Sequence, residues 1–174
     1  VDMINDDKCE RDTKIMELTK TLDDTFPQLK GDEVTFIGTT FLNYGSDKPY
    51  LNNCLVVGSC DAIDNSEIKS FRTEKDLLKA WTQLISRENP DIIIGYNIFG
   101  FDYEFMFKRA EETGCIEDFL KLSRNKDEIC CPEDWQTHKR KLDGNTILLA
   151  SGQYDLKFIK MNGRLQIDLY NYFR

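Results

Sequence analysis

Two polar side chains stand in an otherwise apolar stretch: Asn97 and Asp102 within Ile92-Ile93-Ile94-Gly95-Tyr96-Asn97-Ile98-Phe99-Gly100-Phe101-Asp102. Three chemistries can be tested on that spacing. Gly95 and Gly100 are placed like the glycines of a phosphate-binding G-x-x-x-x-G-K-[ST] loop, but Phe101-Asp102 replaces the Lys-Ser/Thr pair, and an aspartate there repels phosphate. The dinucleotide pattern G-x-G-x-x-G is absent. The third is a carboxylate metal site for phosphodiester hydrolysis, in which divalent ions activate a water and stabilise the leaving oxygen. Hard ions such as Mg²⁺ take carboxylate oxygens, and Asp102 can supply one.

The flanking residues say how these side chains are held. Pro90 stops the preceding helix. Asp91 to Gly95, with three β-branched isoleucines, reads as a strand buried on both faces. Gly95 and Gly100 bracket a sharp turn, after which Phe101 to Phe107 resumes a helical pattern. Asn97 and Asp102 then lie at the carboxyl end of a strand, where ligands bind in open α/β sheets. The plainer alternative is an ordinary strand-turn-helix, with Asn97 as a turn residue and Asp102 as an N-cap.

Around this unit, residues 32–41 alternate as a strand, Gly45 to Pro49 is a turn, and residues 50–57 offer a second strand and hence a hairpin. A short strand follows over residues 67–71. Thr73 is a good N-cap with Asp76 at the capping-box position, and Leu77, Leu78, Trp81, Leu84 and Ile85 form one apolar helical face. Trp81 and its leucines are core residues. Gly114 ends the next helix, and residues 116–124 suit a further short one. Residues 125–146 read as irregular. Residues 154–161 and 164–169 flank Asn162-Gly163, a hairpin signal, and are expected to pair with each other. Residues 10–22 form an amphipathic pattern with no motif, expected as a surface helix.

The chain has 174 residues and a net charge of −8, which alone argues against nucleic-acid binding. The charge is uneven: residues 121–174 carry 10 bases against 7 acids. Six cysteines without a C-x-x-C pair, one histidine and no secretory leader point to reduced thiols in an intracellular protein without a zinc site. No apolar run is long enough to cross a membrane. The start at Val1 and the apolar close at Tyr170 to Phe173 read as a piece of a longer protein.

Asn97-Ile98-Phe99-Gly100-Phe101-Asp102 resembles the second exonuclease motif of family B DNA polymerases, N-x-x-x-F/Y-D, and the lead-in from Asn89 to Tyr96 fits it closely. Phe26-Pro27 with Gly31 to Phe41 resembles the segment after the family's first exonuclease motif, and Asn162-Gly163-Arg164-Leu165-Gln166-Ile167-Asp168-Leu169 its G-R-x-Q-x-D-L element. The wording is most similar to the polymerases of giant, mimivirus-like DNA viruses and to delta-type replicative enzymes. The resemblance implies an RNase H-like α/β domain, a mixed sheet flanked by helices, that excises primer ends 3′–5′ with two Mg²⁺ ions. It implies that residues 26–174 are part of that domain; residues 1–25 are read as a peripheral segment or an insertion. Asp102 would be a metal ligand and catalytic, and Asn97 and Phe101 would hold the DNA 3′ end, the aromatic ring stacking on a base. The implied partners are a primer-template and its single-stranded 3′ end, deoxynucleotides in the parent, and a sliding clamp through the parent. The implied location is the cell interior, in host cytoplasm or nucleus for a virus.

The pattern is incomplete in this chain. The only D-x-E is Asp102-Tyr103-Glu104, whose side chains in a helix point about 200° apart and cannot share an ion. No tyrosine begins a Y-x-x-x-D, and the polymerase palm motifs are missing. The chain alone is therefore expected to be inert, although the resemblance implies a DNA-directed DNA polymerase as its parent. The rivals are a catalytically dead RNase H-like binding or scaffolding module, and an unrelated hydrolase using Asp102 alone. Arg124, Lys126 and the Lys139-Arg140-Lys141 run are read as solvated rather than DNA-bound, His138 has no partner in view, and Glu104 and Asp168 are read as structural or exposed.

Overall fold

The structure, a computed structural model, describes Ile15, residues 32–149 and residues 152–173. The chain divides into two compact units, Val1–Asp32 and Glu33–Arg174. The expected helix over residues 10–22 lies outside the described residues, apart from Ile15, which is helical and exposed.

The second unit opens with β1 (Phe36–Phe41) and β2 (Leu51–Val57), an antiparallel pair in the register Phe36↔Val56 to Phe41↔Leu51. β3 (Glu67–Phe71) adds to β2 in parallel, Asn53↔Glu67 to Val57↔Phe71. Next comes α1 (Glu74–Glu88), capped by Thr73, whose hydroxyl accepts the Asp76 N–H at 3.2 Å. Such a cap is worth about 1 kcal/mol. The helix stops where Asn89 takes a left-handed conformation ahead of Pro90.

β4 (Ile92–Gly95) leads through a single π-helical turn, Ile98–Asp102, into α2 (Tyr103–Glu112). Gly114, at φ +66, turns the chain out of α2 as expected. α3 (Ile116–Phe119) is shorter than the sequence suggests. β5 (Asp143–Leu149), β6 (Gly152–Phe158), β7 (Leu165–Asp168) and α4 (Leu169–Tyr172) complete the chain. Three separate sheets form among the described residues: β1-β2-β3, β4-β7 and β5-β6.

α1 organises the core. Leu77, Leu78, Trp81, Leu84 and Ile85 are buried against Phe41 and Leu55 of the sheet, Met106, Phe107 and Ala110 of α2, and Phe119, Leu120 and Leu122 beyond it. Trp81 stacks on Phe119 with ring centroids 5.9 Å apart. A buried ion pair joins the same elements. Glu74 at the start of α1 takes two hydrogen bonds from Arg109 of α2, at 2.9 and 2.7 Å, and one from the Val34 N–H at 2.8 Å.

Three expectations are corrected. Residues 154–161 and 164–169 do not pair with each other. Asn162-Gly163 does turn the chain, with Gly163 at φ +81 and the Arg164 N–H bonded to Met161 O. Arg164 is then drawn to Leu122 O, Asn89 Oδ1 and Pro90 O, which sends β7 alongside β4 in parallel while β6 pairs back onto β5. Residues 125–146 are accordingly not wholly irregular, since β5 starts at Asp143. Nor is β4 buried on both faces. Among the described residues it is paired on one edge only, and Ile92 and Ile94 are 45% and 59% exposed.

Candidate active site

The site grows from the end of β4. Gly95, opposite Asp168 in the parallel register, gives way to Tyr96 and then Asn97, which adopts φ +60. Asparagine is one of the few residues that enter this region at low cost. Asn97 O then accepts the N–H groups of Gly100 and Phe101, and the Tyr103 N–H reaches back to Ile98 O, closing the π turn. Single π turns inside helical segments recur at functional sites. The Asn97 side chain lies over Gly100: a Cβ at Gly100 would come 2.3 Å from Asn97 Oδ1.

Asp102 emerges at the junction with α2 in helical geometry, and its side chain makes no capping bond. The N-cap alternative therefore fails. Burial raises the Asp102 carboxyl above the ordinary aspartate range, and the negative charge of Asp168 raises it further. Phe101, 56% exposed, stacks on Phe105 at 5.5 Å and an interplanar angle of 10°. Asp102 and Phe101 border a cleft of about 510 Å³. Its other walls are residues 33–39 leading into and along β1, Trp81 and Ile85 of α1, Ile93 to Gly95 of β4, and Met106 of α2. The cleft thus lies between two strands that each have one paired edge among the described residues, β1 bonded to β2 and β4 bonded to β7.

The structure thus brings Asn97, Phe101 and Asp102 together on one turn. Glu104 is turned to other work. Burial opposes its charge, but hydrogen bonds from Lys108 and Lys157 outweigh this and hold its carboxyl below the usual range.

Sequence reasoning read Asp168 as structural or exposed and missed its contact with the Asn97 turn. It is buried, and its carboxylate accepts the Asn97 N–H at 2.7 Å, the Phe99 N–H at 2.9 Å and the Tyr170 N–H at 3.0 Å. Tyr103 was also missed. It is 2% exposed, its hydroxyl has no hydrogen-bond partner among the described residues, and burial together with the charges of Asp102 and Asp168 pushes that hydroxyl's proton affinity up.

The basic residues read as solvated are partly engaged. Arg124 donates to Asn89 Oδ1 and O and pairs with Asp91 at 2.6 Å, closing the corner between α1 and β4. Arg140 bonds Glu117 and Cys131 O, and His138 Nδ1 lies 3.0 Å from Glu133. Among the described residues no group of three His, Cys, Asp or Glu side chains is arranged to hold a metal ion, and no helix is long and apolar enough to cross a membrane. The five described cysteines are free thiols.

By fold and site this is an α/β protein whose polar site sits at the carboxyl end of a parallel strand. Residues 13–174 match the family model for the exonuclease domain of family B DNA polymerases. The chain is 48% identical over 181 aligned residues to a DNA polymerase of Phaeocystis pouchetii virus, covering 99% of this chain and 17% of that protein. It is 36% identical to a DNA polymerase of Pyramimonas orientalis virus, over 89% of this chain and 12% of that protein. It is 35% identical to the DNA polymerase delta catalytic subunit of Arabidopsis thaliana, over 83% of this chain and 12% of that protein. The chain belongs to the exonuclease-domain family of family B DNA polymerases, and it spans about a sixth or less of the length of these relatives.

Proposed function

We propose that this chain is the part of a replicative DNA polymerase's proofreading exonuclease that carries its second carboxylate motif. Residues from about 26 onward would form an RNase H-like domain whose parent extends a primer and hydrolyses mispaired 3′ ends. The observation that carries this reading is that Asn97, Phe101 and Asp102 lie on one turn, of which Phe101 and Asp102 border the β1–β4 cleft. Phe101 offers an exposed ring, already stacked on Phe105, for an unpaired terminal base. The Asn97 amide, held over Gly100, offers a donor and an acceptor to the terminal nucleotide.

Asp102 fits a divalent cation as one ligand: it is an uncapped carboxylate whose proton affinity is raised by its surroundings, and a cation there would relieve that cost. One carboxylate does not make a two-ion site, and the described residues supply no second and third ligand. In sites of this class the divalent ions, Mg²⁺ by preference, polarise the phosphate and generate the attacking hydroxide. The contribution of this chain is to present one anionic ligand and to grip the 3′ end. The DNA primer-template is the substrate, and the clamp, the deoxynucleotides and an intracellular location belong to the parent.

In the polymerase containing this chain, Asp102→Ala should abolish divalent-ion-dependent excision of a mismatched 3′ nucleotide while primer extension stays near wild type. Excision at the wild-type rate would refute the role. A scaffold that has lost its active site predicts no excision before or after the substitution.

A further inference from the structure

Asp168 sits at the end of β7 as the N-cap of α4, accepting the Tyr170 N–H. A cap needs only that one bond. Asp168 makes two more, to groups about 70 residues earlier in the chain: Oδ1 also accepts the Asn97 N–H and Oδ2 the Phe99 N–H. Both oxygens are used and the residue is 7% exposed. The β4–β7 register sets this up. Pairing Gly95 with Asp168 places the carboxylate beside the last residue of β4, and residues 96–99 wrap around it. Two N–H groups of one loop, those of Asn97 and Phe99, converge on one carboxylate, much as in an anion-binding nest, and here the anion is built into the protein.

We infer that Asp168 is a positioning residue for the exonuclease site, an internal anionic template that fixes the Asn97 turn and, through it, Phe101 and Asp102. The inference rests on the reading of Asn97, Phe101 and Asp102 given under Proposed function. Asn97 is held at φ +60, and its side chain fills the space left by the absent Cβ of Gly100. Its carbonyl accepts the Gly100 and Phe101 N–H groups. An acceptor lost at the Asn97 and Phe99 N–H groups therefore acts on the start of the π turn, and Asp102 lies at its end. Displacing catalytic groups by about 1 Å can cost about 10²-fold in rate.

The test uses the polymerase that contains this chain. Asp168→Asn keeps the side-chain shape but turns one acceptor into a donor facing N–H groups. Excision kcat/KM should fall about 10²-fold. Binding of a single-stranded oligodeoxynucleotide 3′ end, measured without divalent ions, should weaken about tenfold, in line with a few lost contacts to the end. Primer extension and the thermal midpoint should stay near wild type. Asn97→Ala should weaken 3′-end binding as well, and the double variant should bind no more weakly than the worse single one, because both act through the same turn. Additive losses would overturn the inference, as would unchanged excision in Asp168→Asn. If Asp168→Asn also loses extension, Asp168→Glu decides: partial recovery of excision at wild-type extension supports positioning by charge, and no recovery overturns it. If Asp102→Ala leaves excision intact, the site reading itself fails. If Asp102→Ala abolishes excision and Asp168→Asn does not lower it, only the positioning role fails.

Discussion

The Glu74–Arg109 pair gives the sharpest test of how the cleft walls are held. Glu74 and Arg109 are 6% and 7% exposed, and the guanidinium meets the carboxylate through two nearly parallel bonds of 2.9 and 2.7 Å. Glu74 Oε1 also accepts the Val34 N–H, so one carboxylate ties the approach to β1, the start of α1 and the last turn of α2. Glu112 contacts the same guanidinium from the next turn but is itself about a third exposed. Removing Glu74 therefore leaves a buried cation with one weak partner and a buried amide with none. Breaking a buried pair from one side costs about 3–5 kcal/mol, and an orphaned buried N–H costs about 1–3 kcal/mol by itself. Because the two penalties share one cavity that water can enter, about 4 kcal/mol is expected for Glu74→Ala rather than their sum. Urea denaturation followed by far-UV circular dichroism on the 174-residue chain measures this as a fall in midpoint at constant slope. The double variant Glu74→Met/Arg109→Met removes both charges and should recover at least half of the loss. A cost below about 1 kcal/mol for Glu74→Ala, or a double variant as unstable as the single one, would refute the view that a dry ion pair holds β1 to α2.

Two further outcomes follow from buried polar groups. Tyr103→Phe removes a buried hydroxyl that has no partner among the described residues, so stability should be unchanged or rise by up to about 1 kcal/mol; a loss above about 1 kcal/mol in the same denaturation experiment would mean that the hydroxyl is bonded. Burial, with the neighbouring Cys130 adding to it, pushes the Cys131 thiol up to about 12. A raised folded value favours the protonated form, so the stability it contributes is intact below the ordinary thiol range near 9 and is lost as pH rises towards about 12. Cys131→Ala should flatten the alkaline limb of a stability-versus-pH curve. At pH 8 in native buffer, iodoacetamide should label exposed Cys60 and spare Cys131; rapid labelling of Cys131 would contradict the burial.

What could be read from the sequence depended on how far apart the cooperating residues lie. α1 was legible because its cap, its apolar face and its stop lie within 17 residues, Thr73 to Asn89, and the first hairpin because its register follows from local alternation. The π turn was legible as a motif but not as a geometry: Asn97 and Asp102 could be named, whereas the left-handed Asn97 and the uncapped Asp102 could not. The strand after Gly163 was misread because Asn-Gly signals a turn without naming the partner strand. That partner was chosen by Arg164 reaching Asn89 and Pro90, some 75 residues back. Asp168 and Glu74 were opaque for the same reason, since their bonds span 69–71 and 35–40 residues.

These distances also explain why the site is built as it is. The proposed cation ligand Asp102 needs a rigid turn, and part of that rigidity is the turn's own packing, with Ile98 and Phe99 against the core and Phe99 on Tyr103 and Phe158. The rest comes from outside the turn. The buried anion of Asp168 fixes the entry to the turn by hydrogen bonds, and α2, anchored by Phe107, Ala110 and the Arg109 ion pair, fixes its exit. Asp102 stands at the joint between the two supports, free of any capping bond of its own. A carboxylate whose backbone is held from both sides, and which bonds to neither support, keeps acceptor capacity for a ligand.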